Sequence, residues 1–255
     1  MQPLSAVIVT RNDAENIERT IRSMQEVAEE IIIVDAFSTD GTPEICKKYP
    51  VRFTTLEWSG YGPQCNYGID LAGNDAIIKP RVGDVLSGKA IAKIKEQQQY
   101  GFTGIYAMKI VRFFFGKFLR HGTEGPNYRY IIFDRTEAKW HDSSSHDLLF
   151  VSKKTDRHRL RGDVMHYAYH SIEQYIQQTN EATSTEAEKA YLRGKKKYAG
   201  KIIFSPAFYF IKDLIFNFGF LEGMHGIIVA KLVAQRNFLK YSKLRELRKR
   251  GTTTP

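Results

Sequence analysis

The sequence predicts an α/β protein: a mixed sheet flanked by helices, followed by a C-terminal amphipathic helical extension. Over the first hundred residues, continuous apolar runs alternate with amphipathic segments, as in sheets of parallel strands joined by helices. After residue 100 the apolar segments are longer and favour antiparallel strands. The 255 residues are 42% apolar and 26% charged, with only two cysteines, so the chain can bury a core without a disulfide scaffold and has no Cys-based metal site.

The first elements are expected to be parallel strands with right-handed crossovers. Leu4 to Thr10 is continuously apolar, as in a strand buried on both faces. Asn12 or Asp13 can cap the helix that follows. The alternation continues with a strand over 31–34, a helix over 42–49, a strand over 51–57, a helix over 63–72 and a strand over 75–79. Ligands bind at the carboxyl ends of such strands, so we expect the chemistry at 10–12, 35–40 and 79–84.

The later segments indicate a second type of organisation. Strands are predicted over 105–118, 128–133, 148–152 and 163–169, the last two as a pair, followed by helices over 171–193, 202–220 and 223–247. We therefore expect an α/β domain over 1–170 and a basic helical extension over 171–255, which would contact a membrane surface or a second copy of the chain. Residues 186–255 contain fifteen Lys and Arg against five Asp and Glu, which accounts for the whole net charge of +10. A neutral body with a basic tail is typical of a protein that meets an anionic surface.

Several short motifs occur one after another along the chain. The first strand ends in Thr10-Arg11-Asn12, and the second ends in Asp35 and a polar loop that leads to Asp40-Gly41-Thr42. Further matching segments are 57–66, 120–122, 145–147, 167–172, 219–223 and 238–241. This series covers nearly the whole chain and resembles family 2 glycosyltransferases of the GT-A fold. It is similar to the branch that adds a hexose during lipopolysaccharide core synthesis.

The resemblance implies a nucleotide-sugar donor, with a UDP-hexose expected. A carboxylate at a strand end, Asp35, can accept a hydrogen bond from the base, and the backbone of 10–12 can pack on the ring and ribose. Asp40-Gly41-Thr42 is expected to be structural, as a turn and a helix cap. The nucleotide-binding residues that the resemblance implies are Thr10, Arg11, Asn12, Asp35, Gln64, Asn66 and Arg81.

The sequence departs from the family at the metal site. The family places two aspartates, separated by one residue, after its fourth strand, where they hold Mg²⁺ or Mn²⁺ against the diphosphate. Here Arg81 and Gly83 occupy those positions, and Asp84 alone cannot rebuild the pair. Cys65 also stands where the family commonly has Lys or Arg. We therefore expect no metal ligands and no cofactor.

Three interpretations of this departure remain open. Arg81, with help from Lys79, can replace the metal as a fixed cation on the diphosphate, because a guanidinium binds phosphate bidentately. The chain can instead be an inactive relative that binds a sugar, a nucleotide or a partner. The third interpretation is an error in the aligned register, or substitutions introduced into this chain.

The catalytic base is expected at Asp147. An inverting transferase needs a carboxylate to take the proton of the acceptor hydroxyl, and the family has a His followed by an acid at 146–147. Aspartate replaces the more usual glutamate here. Arg120, His121 and His146 are weaker candidates for contacts with the acceptor or the diphosphate, and a solvated strand end is the competing interpretation of the first two.

The leading hypothesis is an inverting hexosyltransferase that acts on a lipid-linked saccharide such as lipopolysaccharide core. The alternative is a catalytically impaired, glycosyltransferase-like binding or scaffold protein. Nucleic-acid binding is disfavoured because no such motif occurs, and a homo-oligomer is possible. The N-terminal sequence shows no leader, so we expect a cytoplasmic protein, peripheral on the inner face of the cell membrane.

The tail is expected to lie on an anionic membrane without crossing it. The segment 202–220 is apolar and aromatic but is interrupted by Pro206 and by the charged pair Lys212-Asp213, which would be costly inside a bilayer. An apolar stripe continues from Ile227 and Leu232 to 238–239. Its basic partners are predicted to be Lys231, Arg236, Lys240 and Lys243. The competing interpretation is that these helices pack on the body of the protein or form a dimer.

Overall fold

A computed structural model describes residues 1–141, 149–194 and 198–251. The strands are β1 (Leu4–Thr10), β2 (Glu30–Asp35), β3 (Arg52–Thr55), β4 (Ala76–Ile78), β5 (Asp84–Leu86), β6 (Ile105–Phe114), β7 (Lys117–Phe118), β8 (Asn127–Asp134), β9 (Ala138–Trp140), β10 (Leu149–Val151) and β11 (Arg157–Tyr169). The α-helices are α1 (Ile17–Met24), α2 (Thr42–Cys46), α3 (Tyr61–Asp70), α4 (Gly88–Tyr100), α5 (Ile172–Leu192), α6 (Ala199–Ile211) and α7 (Met224–Gly251). A π-helical turn over Lys212–Phe216 and a 3-10 turn over Gly219–Glu222 lie between α6 and α7.

Nine of the described strands form the predicted mixed sheet, in the order β3-β2-β1-β4-β8-β6-β11-β5, with β7 paired to the end of β6, and β9 and β10 form a separate two-stranded sheet. The strands β3, β2, β1 and β4 are parallel to one another. From β4 onward, antiparallel pairs appear: β4 with β8, β8 with β6, and β11 with β5. The change from parallel to antiparallel pairing follows the change in sequence pattern at residue 100.

The sheet is buried on both faces, as its continuous apolar strands predict. Alternate residues of β1 belong to different clusters: Leu4, Ala6 and Ile8 pack in one, Val7 and Val9 in the other. Successive side chains of a strand point to opposite faces, so each face carries its own core. The first core includes Ile17, Ile21 and Met24, which lie on one side of α1.

The chain divides into two compact units. Unit 1 contains residues 1–111 and 127–167, and unit 2 contains residues 112–126 and 168–255. The C-terminal part of unit 2 begins at Ala168, whereas the sequence analysis placed a boundary at 170. The division predicted from the sequence assigned 112–126 to the first domain, whereas these residues belong to the same unit as the C-terminal helices.

Unit 2 is built around α7. Its residues Val229, Leu232 and Val233 pack with Phe114 and Tyr175 in one apolar cluster. Helix α5 begins after Ser171, as predicted, and the Ser171 hydroxyl accepts a hydrogen bond from the Gln174 amide at 3.1 Å.

Three basic side chains of α7 contact α5, which the sequence analysis did not foresee. Arg236 and Lys240 each lie 2.6 Å from a carboxylate oxygen of Glu186. Lys243 donates to Asn180 and Thr183. The predicted membrane stripe on α7 is therefore corrected: Leu232 is buried inside the unit, and three of the four predicted basic partners contact α5.

Several element boundaries differ from the predicted ones. The N-cap of α1 is Asn16, without a side-chain hydrogen bond, and neither Asn12 nor Asp13 occupies that position. Strand β10 pairs with β9 instead of β11. The predicted helix over 202–220 is α6 followed by the π-helical and 3-10 turns. Across the described parts of the chain, no helix combines the length and the apolar character that a membrane span requires.

Candidate functional site

The carboxyl ends of β1 and β2 meet at the predicted place in unit 1. Thr10 and Asp35 are partners in the parallel register of these strands, and both are buried. Thr10 donates its hydroxyl to Asp13 at 2.9 Å, and Asp13 also accepts from the Arg11 amide at 3.0 Å. Burial raises the pKa of the Asp13 carboxyl, and the negative charges of Asp40 and Asp35 add to that effect.

The Asp35 carboxylate is fixed by the loop that follows its own strand. One oxygen accepts from the Ser38 amide at 2.8 Å and the other from the Ser38 hydroxyl at 2.5 Å. Only 1% of Asp35 is exposed. The group is therefore held rigidly at the strand end, where its remaining lone pairs can accept a hydrogen bond.

Asn12 joins the loop after β1 to the loop after β2. Its backbone has a positive φ of 54°, its amide donates to the Ser38 hydroxyl at 2.7 Å, and its side-chain oxygen accepts from the Thr39 amide at 2.8 Å. Phe37 also has a positive φ, 53°, and is 61% exposed. Left-handed backbone in non-glycine residues is concentrated at functional sites, so this pair of loops has the character of a binding site.

The segment Asp40-Gly41-Thr42 is structural, as predicted. The Asp40 carboxylate accepts from the amides of Ala14 and Thr42, each at 3.0 Å. The Thr42 hydroxyl accepts from the Asp13 amide at 2.9 Å. These bonds connect the start of α2 to the loop after β1.

Gln64 and Asn66 lie on α3 with their side chains engaged by backbone groups. Gln64 donates to the carbonyl oxygens of Leu56 and Glu57 at 3.1 and 2.8 Å. Asn66 makes two hydrogen bonds of 3.0 Å with the backbone of Trp140. These contacts favour a positioning role for both residues over direct nucleotide contact, and Asn66 fixes the strand that leads into residues 142–148.

The residues that follow β4 do not fit a divalent cation. Arg81 and Gly83 carry no carboxylate, and Asp84, which does, is completely engaged. One Asp84 oxygen contacts Arg129 and accepts from the Arg81 amide at 2.7 Å, and the other lies 2.9 Å from Nδ1 of His166. Within the ranges that the structure describes, no group of three or more Asp, Glu, His or Cys side chains could hold a metal ion.

The cluster of Asp84, Arg129 and His166 is the feature that sequence reasoning missed. It joins the start of β5 to β8 and β11, and Asp84 is fully buried. Burial alone would raise the pKa of the Asp84 carboxyl, but Arg129 and His166 outweigh that effect and hold the pKa well below its usual range. The only sequence signal was a single Arg in the otherwise uncharged segment 128–133.

Gly83 and Lys79 complete this corner of the site. Gly83 has a φ of +91°, and a Cβ at this position would lie 2.8 Å from the Tyr167 carbonyl oxygen. Lys79 is buried, and its ammonium lies 3.2 Å from the Tyr61 hydroxyl and 3.1 Å from the Pro80 carbonyl oxygen. The burial of Lys79 does not support its suggested help in binding a diphosphate, whereas Arg81 is half-buried.

Arg120 and His121 belong to unit 2, in a loop that two buried carboxylates hold. Glu222 accepts from the Arg120 amide at 2.7 Å and lies 3.0 Å from His121 Nδ1 and 2.6 Å from Lys117 Nζ. Burial alone would raise the pKa of Glu222, but these partners, Lys117 first, lower it to about 2. Asp213 accepts from the Thr123 amide.

A cavity of about 540 Å³ opens beside this loop, lined by Arg120, His121, Lys212 and the aromatic residues Tyr209, Phe216 and Phe218. The predicted base Asp147 and its neighbour His146 lie outside the described residues.

The sequence of the chain matches known glycosyltransferases. The "Glycosyl transferase family 2" profile matches residues 5–171. An uncharacterised glycosyltransferase of Rickettsia felis is 25% identical, over 96% of this chain and 90% of that one. The lipopolysaccharide core biosynthesis glycosyltransferase LpsC of Rhizobium meliloti is 24% identical, over 94% of this chain and 93% of that one.

Among solved structures, S. aureus TarS 1–349 in complex with UDP is similar, with a TM-score of 0.46 and 13% identity, over 97% of this chain and 92% of that chain. The family match spans the loops after β1 and β2, α3 and the cluster around Asp84. It confirms the resemblance and the GT-A fold that the sequence predicted. The chain belongs to glycosyl transferase family 2 and is a transferase.

Proposed function

We propose that this protein transfers a hexose, with inversion, from a nucleotide sugar to a lipid-linked saccharide such as lipopolysaccharide core. The observation that carries the proposal is the rigid pair of loops at the ends of β1 and β2, centred on Asp35. The buried Asp35 carboxylate can accept a hydrogen bond from the base of a UDP-hexose. The left-handed turns of the two loops suit its ribose. Support for the acceptor class comes from the similarity to LpsC over nearly the whole chain.

The proposed chemistry uses groups of this chain alone. The guanidinium of Arg81 stabilises the negative charge that develops on the diphosphate as the sugar leaves, since Arg binds phosphate bidentately. Asp147 takes the proton of the acceptor hydroxyl as its oxygen attacks the anomeric carbon. We assign Arg120 and His121 to acceptor binding, because their loop presents cationic groups next to aromatic ones.

We further propose that unit 2 rests on an anionic membrane surface through the residues of α6 and the two turns after it. None of the residues of α6 is buried. Phe204 and Phe216 are more than 70% exposed, and Lys201, Lys212 and Lys231 are exposed as well. Apolar side chains beside basic ones are the combination that binds the headgroup region of anionic bilayers.

The alternative is a catalytically impaired binding or scaffold protein, and the observation that favours it is the replacement of the aspartate pair. One experiment separates the two functions. Nucleotide sugars are screened by calorimetry for binding and by product analysis for donor hydrolysis and transfer, with Mn²⁺, without it and with EDTA. Turnover of a UDP-hexose supports the transferase, whereas binding without turnover under every condition supports the impaired relative.

A further inference from the structure

A polar cavity in unit 1 gathers basic side chains from three elements. Its volume is about 370 Å³, within the range of small-molecule sites. Lys89 comes from α4, Lys109 from β6, and Arg159 and Arg161 from β11. Tyr128 of β8, which is directly opposite Lys109 in the strand register, forms a further wall.

The cations of this cavity lack the carboxylate partners that several other cations of the same unit have. Arg129 pairs with Asp84, Arg135 with Asp75, and Lys93 with Glu96. Over the described ranges, none of the four cationic side chains of the cavity has an ion pair.

The cavity has one acidic residue in its lining, Asp163, against four positive charges. Like charges held together repel each other, and a bound anion removes that repulsion. The excess of unpaired positive charge therefore points to an anionic ligand.

The backbone around the cavity is fixed before any ligand arrives. The Ser87 hydroxyl accepts hydrogen bonds from the amides of Ala90 and Asp163 at 3.2 and 3.1 Å, which joins β11 to the first turn of α4. Gly162 has a φ of +120°, and a Cβ there would lie 2.5 Å from the Ala90 backbone. Preorganisation of this kind lowers the cost of ligand binding.

Tyr128 gives the cavity a second binding element. Its ring is about half exposed, and the Arg159 guanidinium lies 4.4 Å from the ring centroid. A flat aromatic surface beside cations suits a sugar ring that carries phosphate. We propose that this cavity binds a phosphorylated saccharide.

The site is separate from the donor site and does not rest on the proposed function. Arg161 precedes His166 by five residues on β11, which corresponds to roughly 17 Å along an extended strand. His166 contacts Asp84, which in turn accepts from the Arg81 amide, so we place a phosphate at Arg161 in a different site from the diphosphate that we propose at Arg81.

The test measures binding of glucose 1,6-bisphosphate to the full chain by calorimetry at low salt, with inorganic pyrophosphate and glucose as comparison probes. The variant is Arg159→Gln with Arg161→Gln, two exposed positions whose replacement leaves the core intact. The control is Lys47→Gln, an exposed lysine of the same unit outside the cavity. UDP binding, measured on every variant, verifies that the donor loops are intact.

We expect the bisphosphate to bind at least tenfold more weakly to the double variant than to the parent and the control, with UDP binding unchanged. The bisphosphate should also bind more tightly than pyrophosphate, and glucose should not bind detectably. Absence of bisphosphate binding, or equal binding by the double variant, overturns the proposal. Equal affinity for pyrophosphate and the bisphosphate overturns the proposal that the cavity recognises a sugar ring in addition to phosphate.

Discussion

Nδ1 of His166 lies 2.9 Å from Oδ1 of Asp84, and the other oxygen of the same carboxylate contacts Arg129. The three side chains come from β11, β5 and β8, so one buried charge connects three strands of the sheet. A buried ion pair that loses one partner leaves the other charge uncompensated. The stability of unit 1 should therefore depend strongly on Asp84.

The first prediction is that Asp84→Asn lowers the free energy of unfolding by about 3 kcal/mol, because Arg129 remains buried without its counter-charge. Urea unfolding followed by circular dichroism measures this. The control is Asp75→Asn, whose exposed ion pair with Arg135 should contribute less than about 1 kcal/mol. Equal effects of the two substitutions would contradict the assignment.

The second prediction is that acid lowers the stability of the fold through the same Asp84 carboxylate. The folded-state pKa of Asp84 is lowered, so its contribution to stability is complete above the unfolded pKa of about 3.9 and decreases as the pH falls below it. The difference in stability between the parent and Asp84→Asn should shrink from pH 6 to pH 3. A constant difference over that range would show that Asp84 stabilises the fold by packing alone.

The donor site is tested at Asp35. Asp35→Ala should weaken UDP binding by roughly 1–3 kcal/mol, because the buried N–H group of the nucleotide base loses the carboxylate that accepts its hydrogen bond. The substitution also removes the contacts with Ser38, so Ser38→Ala is the matched control. Calorimetry should show a smaller loss for Ser38→Ala. If the two losses are equal, Asp35 acts only through the loop.

Metal independence is tested at Arg81. Because Asp84 is fully engaged and neither Arg81 nor Gly83 can ligate a cation, EDTA should leave nucleotide binding and turnover unchanged. Arg81→Ala should weaken UDP binding about 10- to 100-fold, the loss of a hydrogen bond to a charged group, while Arg22→Ala, an exposed control in the same unit, should not. A Mn²⁺ requirement in the parent would contradict the proposed role of Arg81.

The catalytic base is tested at Asp147. Asp147→Asn should reduce transfer about 10²- to 10⁴-fold, the usual contribution of general base catalysis, and should leave UDP binding unchanged. Asp142→Asn, in the same segment of the sequence, is the control. Full activity in Asp147→Asn would place the base elsewhere.

The sequence predicted the parts of the fold that depend on local pattern. The parallel strands, their burial on both faces and the location of Asp35 at a strand end all follow from apolar periodicity. The cluster around Asp84 could not be predicted, because Arg129 and His166 are distant in sequence and join it only when the antiparallel strands pair. Lys243 illustrates the same limit. Helical periodicity places it on a basic face of α7, but only the packing of α5 against α7 brings its ammonium into contact with Asn180 and Thr183.

Membrane association is best tested with point substitutions, since α7 is part of the core of unit 2 and its removal would expose Val229 and Leu232. Replacement of Phe204, Phe208 and Phe216 by Gln should abolish most of the flotation with anionic vesicles. Replacement of two other exposed aromatic residues, Tyr100 and Phe150, by Gln should leave it unchanged. Equal flotation of both variants, or none by the parent, would contradict the membrane proposal.

The geometry at Gly83 limits which substitutions can evolve at this position. An aspartate at this position would need a left-handed backbone, and its Cβ would lie 2.8 Å from the Tyr167 carbonyl oxygen. A single substitution therefore damages the pairing of β5 and β11 before it supplies a usable carboxylate. Replacement of Arg81 alone also gives no pair, because Asp84 is committed to Arg129 and His166. No single substitution therefore gives this chain a carboxylate pair. The close approach of β11 at Tyr167 favours retention of glycine at position 83.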